Sequence, residues 1–122
     1  MKKLITSILF LFSVFNLLSQ NADIKFSDKH YNFDIVNVGD TVTKTIAFQN
    51  IGKDTLYILA YRSTNENVNV SVPVTVILPN DYGKIDILFI STESGSVFEK
   101  VDLIINNDEN PNRYLLLSGL VK

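Results

Sequence analysis

The sequence has no cysteine, no tryptophan and a single histidine. Without cysteine there is no disulfide framework, no thiol nucleophile and no Cys-ligated zinc site. One histidine, His30, rules out a multi-histidine metal centre. The five glycines stand singly, so no glycine-rich phosphate cradle is present. Basic residues are scattered, and eleven Lys and Arg against thirteen Asp and Glu give a formal net charge of −2. That balance, with no aromatic–basic stripe, excludes an electrostatic nucleic-acid binder. Polar low-complexity tracts are also missing. Hydrophobic residues make up 46% of the chain, too many for a disordered protein. At 122 residues there is room for one domain.

One long apolar run is present. Lys2 and Lys3 precede Leu4–Leu18, which Thr6, Ser7, Ser13 and Asn16 interrupt. A basic start, an apolar stretch and a small residue before a polar junction describe a secretory signal peptide. Cleavage is expected after Ser19, which divides the chain into a signal peptide, 1–19, and a mature domain, 20–122. The run is shorter than the ~20 apolar residues that cross a bilayer, so no membrane span is expected after cleavage. The expected location is periplasmic or extracellular. No cysteine follows the run, which excludes lipid attachment of the bacterial lipoprotein kind.

After residue 20 no stretch sustains apolar spacing of three and four residues, so no long helix is predicted. Alternation of period two recurs instead. Val42, Ile46 and Phe48 share one side of Thr41–Gln49, and Ile85, Ile87 and Phe89 share one side of Lys84–Ser91. Further strands are read at Ile24–Phe26, Tyr31–Val36, Leu56–Tyr61, Val68–Val72, Val74–Leu78, Val97–Asn106 and Tyr114–Val121. Pro73 marks an edge or a bend. Turn residues cluster at 50–54, 79–83 and 107–112. The spacing predicts an all-β, immunoglobulin-like β-sandwich of seven or eight antiparallel strands. Its expected core is Phe33, Ile35, Val42, Ile46, Phe48, Leu56, Ile58, Ile85, Ile87, Phe89, Leu103, Ile105, Leu115, Leu117 and Val121. Gly52 is read as the residue of a tight turn. Gly119, inside the last strand, suggests the close approach of a neighbouring side chain or a bulge.

Several segments in order resemble a family of exported bacterial domains. They are Phe33-Asp34-Ile35 with Val38-Gly39-Asp40, Ile46–Gly52, Leu56-Tyr57-Ile58, Leu78-Pro79 with Gly83, and Asn107-Asp108 with Asn110-Pro111 and Leu115–Val121. Together they resemble the domain of unknown function 1573, related to the ASPM–SPD-2–Hydin and PapD-like sandwiches. The resemblance implies an exported, non-catalytic, immunoglobulin-like domain. The family's Cys-Gly-Cys-Thr motif is replaced here by residues 61–67, so no thiol or metal role transfers.

Candidate chemistry is sparse, and no catalytic, metal-binding or cofactor-binding residue is assigned. Asp28 and His30 form at most an acid–base pair in a loop, with no serine motif beside them. A small hydrolase is therefore the weakest reading, and the chain is read as not an enzyme. Asn106–Asn110 is rich in oxygen ligands but lacks the ligand spacing of an EF-hand. A loop-mediated carbohydrate or calcium-dependent adhesion module is the alternative reading.

One surface stands out. If Leu56 and Ile58 point inward, Tyr57, Leu59 and Tyr61 point outward. By the same parity Ile104, Tyr114, Leu116 and Leu120 face out of the same sheet. A sheet face that sees only water is normally polar. Tyr57, Leu59, Tyr61, Ile104, Leu116 and Leu120 are therefore the expected partner-binding residues. The expected function is an interaction or structural module of the bacterial envelope. It would bind an envelope protein or its own copy through this face or an edge strand, with no nucleic acid. No pair of basic residues marks a cleft for a client's terminus, which leaves a chaperone-like subtype unsupported.

Overall fold

Inward residues at every second position pull two sheets together face to face. The computed structural model describes residues 21–122. The signal peptide read at 1–19 lies outside the described residues. The strands are β1 (Ile24–Phe26), β2 (His30–Val36), β3 (Thr41–Asn50), β4 (Leu56–Ser63), β5 (Val68–Ser71), β6 (Val76–Ile77), β7 (Tyr82–Ile90), β8 (Gly95–Ile105) and β9 (Asn112–Val121). One sheet has the order β1-β3-β7-β5 and the other β2-β9-β8-β4-β6. The described residues include no helix, and the sandwich is all-β as expected.

The chain passes between the sheets at every connection except β8–β9, and the strands number nine, against the seven or eight expected. After β1 pairs antiparallel with β3, the chain passes through Ser27–Lys29 to the other sheet. There β2 lies parallel to β9, so one pairing departs from the antiparallel pattern. Pro73 lies at the passage from β5 to β6. β5 pairs with β7 in one sheet and β6 with β4 in the other, because proline cannot continue the ladder.

The core follows the predicted alternation with one exposed exception, one half-buried member and several additions. Ile46, Phe48, Leu56, Ile85, Leu103, Leu115 and Leu117 are buried, as are Ile24, Val68, Val72, Ile77 and Val101. Ile35 is the exception, at 58% exposed. Asp34 takes a left-handed φ of 62°, and the β2–β9 register shifts between Asn32 and Ile35. This bulge flips the side-chain parity. Ile35 then pairs with Leu120 on the outer side, and Val36 takes the inner place beside Val121. Val42 is only half-buried. Lys44 lies in the inward row of β3, and its ammonium rests over the Tyr31 ring at 4.9 Å.

Two glycines are required by close approach. A Cβ on Gly119 would enter the ring of Phe33, which itself stacks on Phe89 of the opposite sheet with centroids 5.4 Å apart. A Cβ on Gly52 would strike the main chain of Asn21–Asp23. Gly52 is thus fixed by backbone contact, and its φ is not left-handed. The fully buried Asn50 holds this end together. Its Oδ1 accepts from Gly52 N–H at 3.0 Å, and its Nδ2 donates to Asp54 O at 2.9 Å and Ile77 O at 3.0 Å. A buried amide is tolerated when its polar atoms are bonded in this way.

Candidate interaction surface

The outer face of the β2-β9-β8-β4-β6 sheet is set by strand register. Cross-strand partners share a side of the sheet. Val101–Leu115 is an inward pair, so Lys100–Leu116, Asp102–Tyr114, Phe98–Ser118 and Ser96–Leu120 face outward. Ile104 pairs with Asn112 on that face. Tyr57, Leu59, Ile104 and Leu120 are exposed there, and Leu116 is half-buried.

Tyr61 belongs elsewhere. Ile58 pairs with Ile105, but Ala60 pairs with Ile104, so Leu59 is an extra residue in β4. Beyond this bulge the parity is reversed. Ala60 and Arg62 now face out, and Tyr61 pairs with the core residue Leu103 on the inner side while remaining 38% exposed.

The outer apolar residues form two groups, not one patch. Tyr57, Leu59, Ile104 and Val76, the partner of Tyr57, gather at one end. Ile35, Phe98 and Leu120 gather at the other. Leu59 and Phe98 are the most open, at 63% and 66% exposed.

Between them runs a charged band that alternation alone did not single out. Lys100 approaches Asp102 at 3.9 Å, and Arg62 pairs with Asp102 across the strands. The ammonium groups of Lys29 and Lys100 each lie 4.5 Å from the centroid of the Tyr114 ring. Ring quadrupoles attract such cations and hold them in place. Lys100 and Asp102 share the parity of Ile104 and were readable from sequence. Lys29 comes from the crossing loop and was not. Lys25, Lys29 and Arg113 also line one groove beside Tyr114, so basic residues do converge in space. Arg113 is already bonded there to Asp23 at 2.8 Å.

The remaining candidates are tied up structurally. His30 Nε2 shares a 2.7 Å hydrogen bond with Ser118 Oγ, and its ring meets the edge of Phe98 with centroids 6.3 Å apart. Asp28 accepts from the His30 main-chain N–H at 3.3 Å, and the ring finds its partner in Ser118. In the 106–110 loop, Asn106 Oδ1 accepts from Tyr57 N–H and Asn107 Oδ1 from Asn110 N–H. Their amides donate to Thr55 O and Ala22 O. These side chains staple main chain to main chain.

Residues 22–120 match the HYDIN/CFA65/VesB-like, Ig-like domain family. The chain belongs to that family. No curated protein matches it. Among solved structures it is similar to a protein of unknown function from Porphyromonas gingivalis W83, with TM-score 0.73 and 16% identity over 84% of this chain and 48% of that one. It is similar to PapD-like domain 7 of human CEP192, an ASH domain, with TM-score 0.67 and 15% identity over 84% and 87%. The Vibrio cholerae VesB protease follows with TM-score 0.65 and 10% identity over 81% and 31%. The chain thus spans about half of the Porphyromonas protein and under a third of VesB. At these identities the likeness concerns the fold. This family member's own outer face therefore carries the functional argument.

Proposed function

We propose that the chain is an exported, non-catalytic interaction module of the bacterial cell envelope, binding protein through the outer face of the five-stranded sheet. The observation that carries this reading is the set Tyr57, Leu59, Val76, Ile104, Phe98 and Leu120, all exposed on a sheet face where polar residues cost nothing. An open edge adjoins it. β6 pairs with Leu56 and Tyr57, and Ile58 N–H donates to Thr75 O at 2.9 Å, so only from Leu59 to Ser63 does no described strand pair with β4 on that side, and this stretch of edge is available for strand addition. Similarity to the secreted protease VesC of Vibrio cholerae and to the periplasmic chaperone SfaE supports export. The finer kinship proposed is with the domain of unknown function 1573, in a form without the family's cysteines.

Affinity capture from an envelope extract tests the reading, with the parent beside Leu59→Lys. Circular dichroism first confirms that both fold. A protein retained by the parent and lost by the variant is the expected result. Equal retention by both would move binding away from this face.

A further inference from the structure

The charged band assigns a chemistry to the partner. Residues 21–122 carry nine basic and thirteen acidic side chains. On the three central strands of the outer face the balance reverses. Arg62 and Lys100 stand against Asp102 alone, and the crossing loop adds Lys29 together with Asp28, whose carboxylate accepts from the His30 main-chain N–H. The two lysines are held on one ring, Tyr114, Lys29 from the loop that leads into β2 and Lys100 from β8. Holding them there reduces the rotamer freedom lost when an anion binds. Apolar groups lie at both ends of the band. Outward positions on β8 recur every ~6.8 Å, which sets Phe98 and Ile104 about 20 Å apart with Lys100 between them.

We propose that this face recognises an acidic polypeptide segment, in which carboxylates meet the Lys29–Tyr114–Lys100 cluster and flanking apolar side chains meet the two ends. The proposal rests on the outer face being the binding surface. Two other occupants fit less well. A second copy paired symmetrically through this face would set its own Lys100 and Arg62 near the same cations, and like charges repel. An acidic glycan supplies carboxylates but no apolar side chains for Leu59, Ile104, Phe98 and Leu120.

The test is a titration of the full-length protein with three labelled probes, read by fluorescence anisotropy. The first is the peptide Leu-Ser-Glu-Ser-Glu-Ser-Leu, whose extended form places two leucines and two carboxylates on one side. The second replaces both glutamates by glutamine, and the third is trigalacturonate. The acidic peptide is expected to bind roughly tenfold or more tightly than the amide peptide, and to weaken as salt rises. Lys100→Glu is expected to remove most of that difference. Lys100 is more than half exposed, so its thermal melt should match the parent. Lys29→Gln is the second variant, should Lys100→Glu unfold. Ile104→Ser should weaken the acidic peptide without abolishing its preference over the amide peptide.

No saturable binding of the acidic peptide would overturn the proposal. So would equal binding of both peptides, or indifference to both lysine variants. Trigalacturonate bound as tightly as the acidic peptide would replace the polypeptide with a glycan. If the envelope partner is lost by Leu59→Lys yet kept by Lys100→Glu, the face stands and the acidic chemistry falls.

Discussion

The outer face of the four-stranded sheet carries Thr41, Thr43 and Thr45 on β3, Tyr82, Lys84, Asp86, Leu88 and Ile90 on β7, and Asn69 and Ser71 on β5. The matching face of the five-stranded sheet carries Tyr57, Leu59, Ile104, Phe98 and Leu120 around a basic band. Both sheets pack the same core, and both use β-branched or aromatic residues that suit a pleated surface. Thr45 Oγ1 donates to Asp86 at 2.7 Å on the first face, where Lys84 and Asp86 stand between the exposed Tyr82 and Ile90. Apolar exposure on the second serves neither packing nor solubility. The contrast teaches that the inner faces specify the sandwich, and that the five-stranded sheet gathers its exposed apolar residues in two groups around charge, whereas the four-stranded sheet sets Tyr82 and Ile90 singly at opposite ends of β7.

Substitutions on β9 break the comparison most sharply, because inner and outer side chains alternate along it. Leu115→Ala should cost about 2–5 kcal/mol by urea denaturation, the loss of a buried leucine plus its cavity. Its outer neighbour Leu116→Ala should cost less, about 1–2 kcal/mol, since Leu116 is only half-buried and leaves no enclosed cavity. Gly119→Ala comes next, at about 1–3 kcal/mol, because the new methyl must displace the Phe33 ring. Asn50→Ala should cost about 1–3 kcal/mol by leaving Ile77 O and Gly52 N–H without their partner. Leu59→Lys and Thr43→Lys, one on each outer face, should each shift stability by no more than about 0.5 kcal/mol. An unfolding Leu59→Lys variant would show that this face is core.

Much of the sandwich was legible because β3 and β7 alternate, with Lys44 alone breaking the inward row of β3, and a half-buried strand announces its inner face by that alternation. What failed was parity across bulges. Asp34 in β2 and the extra Leu59 in β4 each reverse the side-chain sequence, which turns Ile35 outward and Tyr61 inward. Neither bulge has a local signature, since a bulge is defined by the strand opposite. Val68 and Val72 escaped the core reading because Pro73 marked that stretch as an edge or a bend; β5 and β6 are indeed edge strands, yet the inner side chains of the stretch still reach the core. Five of the six expected partner-binding residues share the outer face, but the band dividing them depends on Lys29. That lysine reaches Tyr114 only because β2 lies against β9.

The central claim is that one outer face binds and the other is merely solvated. A photo-crosslinking side chain placed at position 59 in one variant and at position 43 in another tests it directly in living cells. The account predicts a discrete crosslinked adduct from position 59 and none from position 43. Adducts of equal yield from both positions, or from position 43 alone, would contradict it.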